Sequence, residues 1–506
     1  MSHFPTQNPI QDNLYSVETV RQLDVAAINN LEGRAIRLMK RAGKVAFDEM
    51  LEAFGHPTLV NLFCGCGNNA GDGYILAALA AQRRIPVRVI ELGTISKFSA
   101  ETLQARDFAT QAKVSITAFD SSVEVSEGII VDALLGIGCN GALRDQYAQA
   151  VAVINDASLP VLAIDIPTGL NADTGSVVDI AVKADYTVTF IGAKKGLFTG
   201  RGPALCGEIV YDSLEICDTL FDNFQPAAQL MDLHDLMESF PEVEGDVYKN
   251  QRGHCMVIGG DQGYGGAVTM AAEAALRVGS GLTSVATQPQ HITAVLARCP
   301  EVMACGVISG QQLEPWLDRP TTLVVGPGLG RSAWSEQLLQ KAVATGLPTV
   351  LDADALNILA QGRVVSALEG HQWVLTPHAA EAARLLDVTV AEIQADRFAA
   401  VQEIQQKYNA VVLLKGAGTL IAGRDSVIKV CPYGNSAMAT AGTGDLLSGI
   451  IGGLIAQGMS LQMAAELGCC LHSAAADMAV EALGFRGISA TDLLSYIRQL
   501  LNREGL

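Results

Sequence analysis

From Thr58 onward, short runs rich in β-branched residues alternate with stretches of helical periodicity, and no other feature constrains the fold as strongly. The runs are TLVNLFCG, PVRVIEL, GIIVDALLG, PVLAIDIPTG and YTVTFIG. Strands that read as continuous apolar runs are covered on both faces, so the alternation predicts an α/β fold with a doubly wound parallel sheet. The pattern fades after GEIVYDSLEI (residues 207–216) and resumes at His254 with HCMVIGG, LTSVAT, TTLVVGPGLG, PTVLDADALN, QWVLTPHAAE and AVVLLKGAGTL. Between the two series the chain is acidic and carries Pro226 and Pro241. A chain of 506 residues also exceeds the roughly 250–300 over which one core grows. We therefore expect two domains, 1–220 and 245–506, joined by a linker over 221–244. Apolar residues at helical spacing before Thr58 should pack on the first domain. The two halves share an architecture but no motifs, which excludes an internal repeat.

Composition narrows the class. Hydrophobic residues make up 49% and charged residues 17%, which excludes a disordered chain. A net charge of -19, with no basic block, argues against nucleic acid as a partner. Eleven cysteines are too dilute for a disulfide scaffold, and Met1 is followed by polar residues rather than an apolar signal core, so a reduced, cytoplasmic protein is expected. No CxxC or HExxH occurs to suggest zinc. Residues 446–465 carry no charge but contain four glycines, two serines and two glutamines, which reads as a buried helix breaking near Gly458 and gives no membrane span. The exposed faces of two such domains suit a homo-oligomer.

The first strand runs directly into GCGNNAGDG (residues 65–73), the position where a doubly wound sheet binds nucleotides against backbone amides. Two asparagines and an aspartate add acceptors where a pure phosphate site wants donors, and a hard cation sharing the site would account for them. Asp132 in VDALLGIG and Asp165 in AIDIPTGLNADTG follow two further apolar strands. Either aspartate alone could be a helix or turn cap; three such motifs beyond strand ends converge on a site.

This set of motifs resembles the epimerase domain of the bifunctional NAD(P)H-hydrate repair enzymes, over roughly the first 220 residues. The resemblance implies a Rossmann-like domain that interconverts the R and S hydrates of NADH and NADPH. Potassium would be held by Asn69, Asp132 and Thr168. The substrate would be surrounded by Asn68, Asn69, Ala70, Gly71 and Asp72, by Gly136, Ile137, Gly138, Cys139, Asn140, Gly141 and Ala142, and by Asp165, the candidate acid/base. The family's loop has glycine where this chain has Ala70. Lys194 would add charge near the substrate phosphates, or else be an ordinary exposed lysine.

A second constellation, GNSAMATAGTGDLLSG (residues 434–449), places glycines where a loop enters a long apolar helix. Amides there make an anion hole, and the Asp445 carboxylate beside it can take a proton. This resembles the ribokinase-like fold. With Tyr264-Gly-Gly-Ala267, GPGLGR, LDADALN, LTPHAAEAARLL and LKGAGTLIA, residues 245–500 resemble the ADP-dependent NAD(P)H-hydrate dehydratase half of the same family. The resemblance implies that Asp445 activates the hydrate hydroxyl for phosphorylation, that the amides of residues 441–444 stabilise the moving phosphoryl group, and that magnesium bridges the nucleotide phosphates. Lys415, Gly416, Ala417, Gly418, Thr419 and Gly444 would contact the nucleotide, and Ala267, Gly328, Gly330, His378 and Asp445 the hydrate. His378 could instead be structural, at a helix start. The chain departs from the family at Lys249-Asn250 and at Gly259-Gly260-Asp261. Two other readings stand beside this one: a ribokinase-like small-molecule kinase, which the epimerase-like half disfavours, and a non-catalytic nucleotide sensor, which the intact Asp165 and Asp445 disfavour. ADP as donor rests on resemblance alone.

Overall fold

The computed structural model describes residues 12–139, 141–238, 240, 252–365, 370–424 and 426–502, so Asn140, Lys249 and Asn250 lie outside the described residues. The chain divides into two compact units, Met1–Gln229 and Leu230–Leu506. The segment read as a linker carries a 3-10 turn over Asp218–Asn223, a short strand Ala228–Leu230 and a helix Leu233–Glu238.

In the first unit seven parallel strands lie in the order Ser115–Ala118, Val87–Glu91, Val60–Cys64, Ile129–Ala133, Val161–Ile164, Tyr186–Phe190, Glu208–Asp212. Chain order runs outward in one direction from Val60–Cys64 and in the other from Ile129–Ala133, which is the Rossmann-like arrangement; its crevice opens between those two strands. Every residue of both strands is buried, because helices cover both faces. A further strand, Asn13–Tyr15, pairs in parallel with Ala193–Lys194, placing Tyr15 opposite Lys194. The helix Val17–Asn30 follows at once, capped by the Ser16 hydroxyl, which accepts from Thr19 N–H. The register thus brings a helix from outside the strand motifs to the end of the sheet that carries them.

In the second unit the parallel order is Met303–Gly306, Leu282–Thr287, His254–Ile258, Thr322–Val325, Thr349–Leu351, Trp373–Leu375, Val411–Leu414, continued antiparallel by Leu420–Ala422 and Ile428–Val430. The apolar segment forms a helix Thr443–Ala456, turns at Gly458 with φ +95°, and continues as Leu461–Leu483. Among the described residues no helix is long and apolar enough to cross a membrane. The first of these helices packs on Gly265–Arg277 so closely that a Cβ on Gly449 would overlap the Ala271 carbonyl oxygen, which is why glycine stands there.

Candidate active sites

At the crevice of the first unit the chain turns from strand to helix through Gly65-Cys66-Gly67. A Cβ on Gly65 would overlap the carbonyl oxygen of Leu134, so only glycine lets the loop meet the end of the neighbouring strand. The helix Asn68–Gln82 then starts without a side-chain cap, and of its first turn the Ala70 N–H is bonded to Gly67 O at 3.1 Å. Gly67, Asn68 and Asn69 stand at this start. They border a cavity of about 460 Å³ lined by Asn68, Asn69, Asp72, Gly136, Ile137, Gly138, Asp165 and Lys194, together with Val20, Asp24, Leu38 and Met39 from the first two helices.

Asp132 and Thr168 are completely buried beneath this cavity and bonded to each other. Asp132 Oδ1 accepts from the Thr168 hydroxyl at 2.8 Å and from Leu134 N–H at 3.1 Å, and Oδ2 accepts from Thr168 N–H at 2.8 Å. Burial raises the Asp132 carboxyl to about 6 against these bonds. Asn69 is 7% exposed, and neither atom of its amide has a hydrogen-bond partner among the described residues. Buried amides are nearly always paired, so an orphaned Asn69 Oδ1 calls for a ligand the protein does not itself supply. A Cβ on Gly136 would be 3.5 Å from Asn69 Cβ and 3.3 Å from Asp165 Oδ2, so Asn69 and Asp165 flank the same glycine.

Asp165 has a left-handed backbone (φ +70°), sparsely populated for a non-glycine residue. Its N–H donates to Val188 O at 2.7 Å, and its Oδ1 accepts from the ammonium of Lys194. Lys194 is 1% exposed and also donates to the Thr189 hydroxyl and the Phe190 carbonyl, each at 3.0 Å. The expectation of an ordinary exposed lysine is corrected: pairing with the Asp165 carboxylate at the strand end makes its burial tolerable. Sequence reasoning missed Asp24. The signal available was an aspartate on the apolar stripe Val20, Leu23, Ala27 of its helix. Burial pushes its carboxyl up to about 6, with Lys194 opposing and Asp165 adding to the shift, and burial likewise pushes Asp72 well above the carboxylate range.

Not every expected contact is brought to the cavity. Ala70 is fully buried in the core, and a Cβ on Gly71 would collide with the Met39 side chain, so both can offer only backbone. Cys139, Gly141 and Ala142 stand outside the cavity lining, and Asn68 is occupied in accepting from the Ser99 hydroxyl at 3.0 Å.

In the second unit Asp352, Glu381 and Lys415 follow three consecutive parallel strands, Thr349–Leu351, Trp373–Leu375 and Val411–Leu414. Lys415 Nζ donates to Asp352 Oδ1 at 2.8 Å and lies 3.8 Å from Glu381 Oε2. Burial works against the ammonium, but Asp352 and Glu381 more than offset it and hold its pKa above the usual lysine value. A Cβ on Gly444 would be 3.5 Å from Lys415 Nζ, which fixes the glycine loop directly above this pair. Gly442, with φ +93°, caps the helix Thr443–Ala456, and Asp445 is its third residue. Burial, and after it Asp352, pushes the Asp445 carboxyl up to about 7, with Lys415 opposing. A carboxyl poised there suits a general base at neutral pH.

The segment Lys415–Thr419 is held from within. Arg397, 1% exposed, donates to Leu414 O at 3.1 Å and Lys415 O at 3.4 Å, while the Thr419 hydroxyl donates to Gly416 O at 2.9 Å. The half-exposed His378 ring caps a helix: its Nδ1 accepts from Ala380 N–H at 3.0 Å and Glu381 N–H at 3.3 Å at the start of Ala379–Leu386, and its Nε2 lies 3.3 Å from Glu381 Oε1. Gly328 (φ +56°) abuts Tyr264 and Ala267, and the Gly330 N–H donates to Asp354 at 3.0 Å beside Asp261.

Comparison with known proteins agrees with both halves. Residues 35–196 match the YjeF-related protein N-terminus, and residues 255–499 match the NAD(P)H-hydrate dehydratase family. A bifunctional NAD(P)H-hydrate repair enzyme of Coxiella burnetii is 43% identical over 97% of this chain and 99% of its own length. That of Escherichia coli is 36% identical over 99% and 97%. A ribokinase-like superfamily protein from Enterococcus faecalis superposes with a TM-score of 0.50 at 28% identity, covering 55% of this chain and 97% of its own. A Rossmann-like unit and a ribokinase-like unit in this order, each with its site at the carboxyl ends of its strands, and relatives aligned over nearly the whole length place the chain in the family of bifunctional NAD(P)H-hydrate repair enzymes.

Proposed function

We propose that the first unit interconverts the R and S hydrates of NADH and NADPH and that the second returns the S hydrate to the dinucleotide at the expense of ADP. The single observation that carries the second half is Asp445: a carboxyl raised to about 7, at a helix start whose amides lie beside the Lys415 ammonium. Hydroxide leaves carbon poorly. Asp445 would take the proton of the hydrate hydroxyl, the amides of residues 441–444 and Lys415 would meet the phosphoryl charge, and phosphate would then depart by elimination. Lys415, Gly416, Ala417, Gly418 and Thr419 would carry the nucleotide, with Ala267, Gly328 and Gly330 at the hydrate. Mg²⁺, a hard cation that takes phosphate oxygens, would enter with the nucleotide and screen its phosphates from one another.

In the first unit the orphaned carbonyl of Asn69 and the oxygens of Asp132 and Thr168 suit K⁺, which would supply a fixed positive charge near the substrate. Asp165 acts at the inverted carbon, and Lys194 holds its orientation. Eleven cysteines in 506 residues are too dilute for a disulfide scaffold, which suits a reduced, cytoplasmic setting. The test is incubation with mixed hydrates and ADP while following the near-ultraviolet absorbance of the dihydronicotinamide. Recovery of about the S share alone would remove the epimerase, and no recovery would remove the dehydratase through which the epimerase is read.

A further inference from the structure

We propose that Asp24 is a catalytic residue of epimerisation, exchanging a proton with oxygen on the face of the hydrate ring opposite to the one Asp165 serves. The proposal rests on the epimerase reading above. Asp24 lies in the middle of the helix Val17–Asn30, too far from either end to cap it, and on its apolar stripe. An aspartate there is unfavourable for the helix and, in apolar surroundings, for the fold. Among the described residues its carboxylate nevertheless makes no hydrogen bond and no ion pair, and it lines the cavity with Asp165, Asp72 and Lys194. Asp165, by contrast, is tied to Lys194. No hydrogen bond of the described fold uses the Asp24 carboxylate, so the group is free for what enters the cavity. The neighbouring Asn69 amide, buried and unpartnered, independently marks the same cavity as a ligand site.

Inversion by loss and return of the hydroxyl uses two such groups. Protonating the enamine of a dihydronicotinamide leaves the cation on the carbon attached to the ring nitrogen, so hydration puts the hydroxyl on that carbon. Inversion can proceed by its loss and return. The C–O bond breaks with its electron pair going to oxygen, which takes a proton from one carboxylic acid and departs as water, while the nitrogen lone pair forms C=N⁺. A water on the other face then adds to that carbon and gives its proton to the second carboxylate. One water leaves, one enters, and one proton passes from one carboxyl to the other; the reverse conversion uses the two groups in exchanged roles, and exchange with solvent resets them. A single carboxyl on one face serves only half of this sequence. Asp24 arrives on the N-terminal helix and Asp165 from a strand end, so the fold delivers the two independently.

The test uses the full chain and R hydrate freed of the S form, with epimerisation read as absorbance recovered through the chain's own ADP-dependent dehydration. If the parent protein does not convert R hydrate, the epimerase reading fails and Asp24 is not at issue. If it does, Asp24→Asn should lower kcat by roughly 100- to 10,000-fold with KM changed less than about threefold, the range for losing a positioned acid or base. Asp24→Glu should recover part of the rate, and dehydration of S hydrate should be intact in both. A parent-like rate in Asp24→Asn overturns the proposal. So does a loss that Asp24→Glu does not relieve, since a proton carrier needs a carboxyl and a packing role does not.

Discussion

Lys415 Nζ lies 2.8 Å from Asp352 Oδ1, although the strands that deliver these residues, Thr349–Leu351 and Val411–Leu414, are separated by Trp373–Leu375. The pair therefore spans the base of the glycine loop and sets the field at Asp445. Asp352→Asn removes a charge that raises the Asp445 carboxyl, so the acid limb of the dehydration pH profile should move below its parent position. Breaking a buried pair costs about 3–5 kcal/mol when the survivor is stranded. Lys415 keeps Glu381 at 3.8 Å, so the loss in thermal unfolding experiments should fall below that range.

Asp445→Asn should reduce ADP-dependent dehydration at least about 100-fold while leaving epimerisation near the parent rate. The base works unprotonated and its carboxyl sits at about 7, so kcat/KM of the parent should fall as pH drops through 7 and level off above it. A dehydration rate independent of pH between 6 and 8 would assign the base elsewhere.

With Asp165→Asn, Lys194 loses its carboxylate partner and epimerisation loses its proposed acid/base. S hydrate should still be repaired promptly, whereas R hydrate should be consumed only as fast as it epimerises spontaneously. On a mixed-epimer preparation the recovered absorbance should therefore rise in two well-separated phases instead of one.

Asp132→Asn removes a charge beneath the cavity and turns one of two oxygens that accept backbone N–H into a donor. Epimerisation should then need more potassium for half-maximal rate. Superimposable potassium titrations for variant and parent would leave the Asn69, Asp132 and Thr168 oxygens without that role.

Gly449→Ala places a methyl group against the Ala271 carbonyl, where backbone must move to admit it. Overpacking of this kind costs about 1–3 kcal/mol, which should appear as a lower melting temperature for the second unit. An unchanged melting temperature would mean that the crossing of these two helices is looser than described.

The strand alternation and the strand-end motifs were legible because each carries its own local signature: apolar runs, then glycines that only close backbone contact demands, as at Gly65. What the sequence did not disclose depends on pairing over long separations. Lys194 looks like any surface lysine until the parallel register with Asn13–Tyr15 carries it inward. Asp24 sits outside every glycine motif and reaches the cavity only because that same register docks its helix there. His378 fits the family's binding motif whether or not its ring also caps a helix, and the capping bonds of Nδ1 appear only in the structure.

Arg397 points its guanidinium inward at the carbonyls of Leu414 and Lys415. A segment anchored from its core side is already in shape when nucleotide arrives, so little conformational entropy is left to lose on binding. Calorimetric titration of ADP should accordingly show a small heat-capacity change, without the signature of a segment that folds around its ligand. For this chain, nucleotide affinity is set when the polypeptide folds rather than when the ligand is met.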